Sequence, residues 1–289
     1  MASIKSLKSR IRSVGSTKQI TKAMQLVAAS KMRRAQDAEK ASVLYVRAAS
    51  ELLTHLASQG ATEIHPLYEH RDVKSRLLIV IAADKGLAGA YNSNILKTYL
   101  GELKSADEAG ISSKTIAIGR RAAQFVSRLK DNEVVGVYED LPDRPRGRQV
   151  QAILDTAIDM FESGEVDAVD VIYTDFKSSI RQDAVVRPIL PAGFVKTDVS
   201  LDVAEAKYEP SAQEVLESVT RRVIVARLFQ AMLDARASEH SMRMLAMKNA
   251  TDNASDLIDD LTLEMNKARQ GAITQELAEI SGGVEALNE

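Results

Sequence analysis

Cysteine is absent from the 289 residues, which excludes disulfides and thiolate chemistry alike. Histidine occurs only four times, at His55, His65, His70 and His240, with no metal-ligand spacing. No apolar run approaches the roughly 20 residues that a membrane-spanning helix requires. Helix breakers are scarce and unevenly placed. All six prolines lie from Pro66 to Pro210, the only glycines before Pro66 are Gly15 and Gly60, and neither type occurs between Pro210 and Gly271. Proline inside a helix costs about 3 kcal/mol and glycine about 1 kcal/mol, so each end of the chain is free to form one unbroken helix. Average helices run about 11–12 residues, and two stretches of this length at opposite ends are far from that norm. At about 1.5 Å per residue they would span roughly 80 Å and roughly 105 Å.

The formal net charge of −2 makes no global case for a nucleic-acid or membrane-surface protein. Local charge differs. Up to residue 40 the chain carries Lys5, Lys8, Arg10, Arg12, Lys18, Lys22, Lys31, Arg33, Arg34 and Lys40 against only Asp37 and Glu39. Such an end seeks an acidic partner, or is an ordinary solvated helix face. Its Ser-rich, acid-poor composition is also that of a mitochondrial transit peptide, against which the helical pattern argues.

Ile4, Leu7, Ile11 and Val14 alternate steps of three and four, the seam of a coiled coil. Its strict continuation falls on polar Lys18, Thr21 and Gln25, so the apolar face is expected to slip and resume at Ile20, Met24, Val27 and Ala28. Val43, Val46, Leu52, Leu53 and Leu56 carry the helix to about Ser58. The middle of the chain alternates strand and helix patterns: strands at 76–83, 115–118, 134–138, 168–174 and 184–190, helices at 92–103, 120–130 and 149–161. This order predicts a parallel sheet covered on both faces, a Rossmann-like α/β domain. The second long helix opens after Tyr208-Glu209-Pro210. Val215, Val219, Val223, Leu228, Met232 and Leu233 lead to a seam at Ala254, Ile258, Leu261, Met265, Ala268 and Ala272, which then shifts to Ile273, Leu277 and Ile280. Both long helices leave one compact domain, so they are expected to pair antiparallel as a shaft. The longer then projects about 20 Å beyond its partner, still carrying Ile273, Leu277, Ile280, Val284 and Leu287. An apolar helix end of that kind implies a sheath from other chains. The expected divisions are 1–60 (shaft helix), 61–209 (α/β domain and foot) and 210–289 (shaft helix).

Catalytic chemistry finds little support. The turn Asp84-Lys85-Gly86-Leu87-Ala88-Gly89 after the first strand has neither the G-x-G-x-x-G nor the G-x-x-x-x-G-K-[ST] spacing, so a tight strand-to-helix turn is the plainer reading than a phosphate cradle. Asp256, Asp259 and Asp260 fit a solvated helix face, and four dispersed histidines assemble no Ser/His/Asp arrangement. No cofactor is expected.

Three long segments resemble the gamma subunit of rotary, F-type ATP synthase of the bacterial type. They are Ile20-Thr-Lys-Ala-Met-Gln-Leu-Val-Ala-Ala-Ser-Lys-Met-Arg-Arg-Ala-Gln36, Met244-Leu-Ala-Met-Lys-Asn-Ala-Thr-Asp-Asn-Ala254, and Asn266-Lys-Ala-Arg-Gln-Gly-Ala-Ile-Thr-Gln-Glu-Leu277. The Asp84–Leu87 turn fits as well, and the likeness covers the whole chain. It implies a non-catalytic central-stalk rotor of the catalytic core. The shaft sits in a hexamer of alternating alpha and beta subunits, its foot on the c-subunit ring and beside the epsilon subunit. Proton flow turns the ring, and the asymmetric shaft drives each beta subunit through its conformations, with the reverse on hydrolysis. The family binds neither nucleotide nor nucleic acid, and meets the membrane only peripherally.

Position by position, the resemblance places Met24 near the acidic lever loop of a beta subunit, with Lys85 and Arg243 in segments of the same contact. Arg269, Gln270, Thr274 and Glu276 match an upper contact with the hexamer. Tyr208 and Glu209 match the foot that meets the c ring. The chain departs from the commonest pattern at Met265, where an aromatic is usual, and at Ser241-Met242, where two alanines are frequent; neither is expected to alter function. It lacks the cysteine-bearing insertion of chloroplast members. Because the motif begins within a few residues of Met1, the basic end is expected to stay on the working protein. The expected place is the cytoplasmic face of a bacterial inner membrane. Two rival readings are a non-rotating coiled-coil scaffold or adaptor with an α/β head, and an α/β enzyme with helical appendages.

Overall fold

A computed structural model describes the backbone of residues 3–60, 62, 65–129, 132–143, 147–193 and 198–287, with side chains throughout except at 41–47, 279 and 282–287. Val43, Val46, Val284 and Leu287 of the sequence analysis therefore lie outside the described side chains, and Lys130 outside the described residues. The proline-free ends form single helices, α1 at Ile4–Ser58 and α6 at Ala212–Leu287. Between them come β1 (Ser75–Ile81), α2 (Tyr91–Glu108), β2 (Ser112–Ile118), α3 (Arg120–Val126), β3 (Glu133–Tyr138), α4 (Gly147–Glu162), β4 (Ala168–Phe176), β5 (Gln182–Leu190) and the short α5 (Leu201–Ala204). The chain divides into two compact units, residues 1–28 with 244–289, and residues 29–243.

In the second unit the strands form one sheet in the order β3-β2-β1-β4-β5. β1, β2, β3 and β4 are parallel, and the last three are each reached by a crossover through a helix. β5 departs from the all-parallel expectation and runs antiparallel to β4. Only residues 177–181 separate these two strands, too few for a crossover and enough for a hairpin. Alternation along β1 sends Leu77, Ile79 and Ile81 to one face and Leu78 and Val80 to the other. The first face packs against α4 and the stretch of α6 that carries Ile224, Leu228, Met232 and Ala235. The second packs against Tyr91, Ile95 and Tyr99 of α2 and Ala122 and Val126 of α3. The long helix thus serves as one of the layers covering the sheet, which seats the α/β domain on it through apolar burial. Ala49, Leu53 and Leu56 of α1 pack with Leu216 and Val223 of α6, while Glu39 faces Asp234, so the two helices are antiparallel there.

Gly119, between β2 and α3, has φ 92°, and a Cβ built on it would fall 2.1 Å from the Ala82 carbonyl oxygen. No side chain fits that approach. The close contact lets Ala82 N–H donate to Ile118 O at the top of the sheet.

In the first unit the seam of α1 does not slip. Leu7, Thr21 and Ala28 are buried, with Ile11, Val14, Lys18 and Gln25 half-buried between them. Ile20 and Val27, expected to take over the seam, are instead 59% and 56% exposed. The strict three-four spacing survives its polar stretch because Thr21 finds a partner: its hydroxyl lies 2.8 Å from that of Thr251. One hydroxyl donates across to the other, and the second donates to a carbonyl of its own helix, Met247 O for Thr251 or Lys18 O for Thr21. A buried polar pair satisfied in this way is compatible with a coiled-coil core. On α6 the matching stripe is Met247, Thr251, Ala254 and Leu261, with Ile258, Met265 and Ala268 half-buried. From Arg269 through Ala278 every side chain is exposed, Ile273 and Leu277 among them. Ala272 therefore extends no seam, nor does the seam shift to Ile273, Leu277 and Ile280 as expected; the described part of the apolar tip is uncovered within this chain, as expected of a projecting end.

Candidate functional site

The C-terminal ends of β1 and β3 lead into turns that close onto α6, and a buried ionic network holds them there. Asp84, just past β1, accepts from the backbone N–H of Arg120 at 3.0 Å and of Asp140 at 3.1 Å through Oδ1. Its Oδ2 faces Nη2 of Arg236 at 3.4 Å. Arg236 also donates to the Leu141 carbonyl at 2.9 Å and to Glu239 Oε2 at 2.9 Å. The other oxygen of Glu239 meets Nη2 of Arg243 at 2.8 Å, and the same nitrogen donates to the Gly86 carbonyl at 3.2 Å. Two carboxylates and two guanidiniums, all largely out of solvent, so neutralise one another. Burial opposes the charge on Arg236, but Glu239, Tyr91 and Asp84 outweigh it and the guanidinium is held more firmly protonated than usual. Tyr91, the fully buried first residue of α2, has its hydroxyl pushed far up, by burial first and then by Glu239. Beside this core His240 is held below its ordinary value, chiefly by burial. Asp143 pairs with Lys31 of α1 at 2.9 Å.

The network presents Lys85 and Leu87 outward, both exposed, with Leu87 in left-handed backbone at φ 61°. The Asp84–Gly89 turn is thereby a docking device on α6. A shallow cleft of 310 Å³ lies next to it, bounded by the turn, Asn92, Arg121 and Arg128.

On the other side of α6 three carboxyl groups from three elements converge: Glu39 of α1, Asp175 of β4 and Asp234 of α6. Asp175 is compensated by Lys177 at 2.6 Å and Arg187 at 3.6 Å. Asp234 is pushed up to about 8, by burial first and then by Glu39 and Asp175. Glu39 is raised as well, mainly by burial. Near this cluster Ser238, fully buried, donates to Thr174 O at 3.1 Å. Ser241, one of the departures from the family pattern, donates to Ser179 O at 2.9 Å and accepts from Gln182 Nε2 at 3.2 Å. It clamps the β4–β5 hairpin to α6, a task two alanines cannot perform. Met242, the other residue of that departure, packs beside the α2–α3 core.

The residues singled out from the sequence fall into separate places. Lys85 and Arg243 are brought to one turn through Gly86. Met24 belongs to the first unit, half-buried beside the α1 seam. Arg269, Gln270, Thr274 and Glu276 are exposed on the same unit's α6, with the Thr274 hydroxyl donating to Gln270 O at 2.9 Å. Tyr208 is half-buried against the α1–α6 packing, 6.1 Å from the His55 ring, and Glu209 is exposed. Asp256, Asp259 and Asp260 are exposed, as a solvated face requires. Sequence reasoning missed Arg236, Glu239 and Asp234. The first two carried a signal, since 236, 239, 240 and 243 share one helix face by their steps of three and four. Asp234 carried none, because its carboxyl neighbours are remote in sequence. Among the described residues no group of His, Asp and Glu has the arrangement of a metal site, and no helix is long and apolar enough to cross a membrane.

Similarity to known proteins runs the length of the chain. The family described as ATP synthase matches residues 3–287. A protein of Xylella fastidiosa named ATP synthase gamma chain is 40% identical over 288 residues, covering 99% of this chain and 100% of that one. The like-named protein of Stenotrophomonas maltophilia gives the same figures, 40% identity over 99% and 100% of the two chains. That of Staphylococcus epidermidis is 36% identical over the same shares, 99% and 100%. Among solved structures, a chain of the Tetrahymena thermophila mitochondrial ATP synthase central stalk and c-ring superposes with TM-score 0.62 at 22% identity, covering 80% of this chain and 99% of that one. A chain of a Euglena gracilis mitochondrial ATP synthase assembly that includes its c-ring gives TM-score 0.68 at 17% identity, covering 98% and 94%. These two share its fold, and the bacterial relatives are similar to it in sequence over their full length. The chain belongs to the gamma-chain family of ATP synthase.

Proposed function

We propose that this protein is the central-stalk rotor of a proton-translocating ATP synthase, itself non-catalytic, turned by the c ring and driving the beta subunits through their cycle. One observation carries the reading. In the first unit Ile20, Leu26 and Val27 of α1 and Leu263, Ile273, Leu277 and Ile280 of α6 are exposed although the seam between the helices is already filled elsewhere. Large apolar side chains spread outside a satisfied seam call for a surrounding sheath, which a hexamer of alpha and beta subunits supplies. The basic residues of α1 from Lys5 to Lys22 are mostly exposed among them, suited to acidic loops lining that sheath.

In this reading residues 1–60 and 210–289 are the shaft and 61–209 the head and foot. Met24, Lys85 and Arg243 meet the acidic lever loop of a beta subunit. Arg269, Gln270, Thr274 and Glu276 meet the hexamer farther along, and Tyr208 and Glu209 meet the c ring near epsilon. The protein works at the cytoplasmic face of a bacterial inner membrane, attached only through its partners. The cysteine-free sequence makes the test clean: with Lys85→Cys crosslinked to a cysteine on the catalytic lever loop, coupled turnover should stop and reduction should restore it. Undiminished turnover in the crosslinked complex would instead favour a fixed scaffold.

A further inference from the structure

We propose that Arg236 is the positioning residue that sets the Asp84–Gly89 turn on α6, and that coupling through Lys85 and Arg243 depends on its two-pronged grip. The inference rests on the rotor reading and adds to it a residue that meets no partner itself.

Arg236 is 12% exposed and gathers three elements on one planar group. Its Nη2 reaches Asp84 after β1 and the Leu141 carbonyl after β3, and its Nη1 reaches Glu239 on its own helix. The outward side of the turn has no comparable anchor. Lys85 is exposed and Leu87 is 64% exposed, so side-chain packing does not determine where they stand. Behind the turn Asp84 takes the backbone N–H groups of Arg120 and Asp140 and Ala88 is buried, and what ties the turn to α6 is the pair of guanidinium contacts, Arg236 on Asp84 and Arg243 on Gly86 O.

The two arginines are linked by Glu239, which accepts from both. Without Arg236 the buried carboxylates Asp84 and Glu239 are left with Arg243 as the one guanidinium of the network. Arg243 is then drawn deeper toward Glu239 and away from Gly86. The turn loses both contacts to α6 and keeps only its backbone bonds at Asp84 Oδ1, while the apolar core beneath it, built from Leu78, Val80, Ile95 and Tyr99, stays intact. A guanidinium matches this geometry because its fork donates in two directions at once; an ammonium keeps the charge but not the fork.

That difference separates positioning from mere stabilisation. Arg236→Lys retains the charge balance, so the full-length chain should unfold within a few degrees of the parent. In the assembled complex, protons pumped into vesicles per ATP hydrolysed should nevertheless fall at least about twofold. A second variant, Arg236→Met with Glu239→Gln, restores charge neutrality without a fork and should behave alike, with Glu239→Gln alone as its control. Parent-level coupling in either variant, with the complex assembled, overturns the proposal. Coupling lost only in proportion to lost thermal stability overturns it too. Met24→Lys, placed on a different unit, separates the two levels of inference. If it impairs coupling while both Arg236 variants do not, only the positioning role falls. If neither it nor they change coupling, the rotor contact itself is misassigned.

Discussion

Replacing Asp234 by asparagine should stabilise the protein, and the gain should grow with pH. Asp234 is 6% exposed and faces Glu39 and Asp175, with Lys177 as the cation nearest to balancing it. Its pKa is pushed up to about 8 from 3.8, burial being the largest cause. In the unfolded chain an aspartate ionises near about 3.9. The folded state therefore binds a proton that the unfolded state has released, and stability falls as pH rises through that interval. The contribution is full below about pH 4, declines from there, and is spent above about pH 8. A separation of about 4 pH units corresponds to an upper bound of about 6 kcal/mol at about 1.4 kcal/mol per unit. Relaxation of the side chains and sharing of the proton with Glu39 reduce it, so about 2–4 kcal/mol is expected for Asp234→Asn at about pH 8, shrinking below about 1.5 kcal/mol at about pH 5. Asparagine keeps the size of the side chain and removes only the ionisation, so titrations away from this cluster cancel between the two proteins. Denaturant unfolding of the full-length chain and the variant at about pH 5, 6.5 and 8 measures the difference. A difference that stays flat over that range, or an asparagine variant that is the less stable at about pH 8, would refute the reasoning.

The Thr21–Thr251 pair should behave non-additively. Each hydroxyl keeps its own-helix carbonyl when the other is removed, so Thr21→Val or Thr251→Val alone should cost about 0.5–1.5 kcal/mol of unfolding free energy. Both together should cost less than the sum of the two, which a double-mutant cycle by denaturant unfolding would show; strict additivity would count against a direct bond. Gly119→Ala should destabilise by about 3 kcal/mol or more, since its Cβ would meet the Ala82 carbonyl at 2.1 Å in left-handed backbone. An alanine variant with unchanged thermal unfolding would show that the β2–α3 turn relaxes freely.

The proline-free ends, the strand–helix alternation and the apolar tip were legible because each rests on local properties of the chain. Propensity and period are carried by neighbouring residues, and nothing distant is needed to read them. The seam of α1 shows where this stops. Read by polarity, Lys18, Thr21 and Gln25 break the stripe, and Ile20 and Val27 are expected to replace them. The structure keeps the strict spacing, since a threonine in a core is tolerated when another hydroxyl meets it, and that partner sits 230 residues away. The direction of β5 lay between the two cases. The alternation of strands and helices pointed to another parallel strand, and only the structure extends β4 and β5 until a five-residue link joins them as a hairpin.

Charge was the least legible property. The basic end stood out as a run, and the likeness to the gamma family rests on contiguous motifs, so the sequence alone determined the family, the two long helices and the absence of cysteine chemistry. Whether a given aspartate or arginine is a solvated ornament or part of a buried network depends on what faces it. Asp256 and Asp259 stand in water, while Asp234 on the same helix is buried beside two other carboxyl groups, and no local feature distinguishes them. The grip of Arg236 on two turns, the proton held by Asp234 and the hydroxyl pair in the coiled coil were decided only by tertiary structure, because desolvation and hydrogen-bond pairing are set by elements that the fold, not the chain order, brings together.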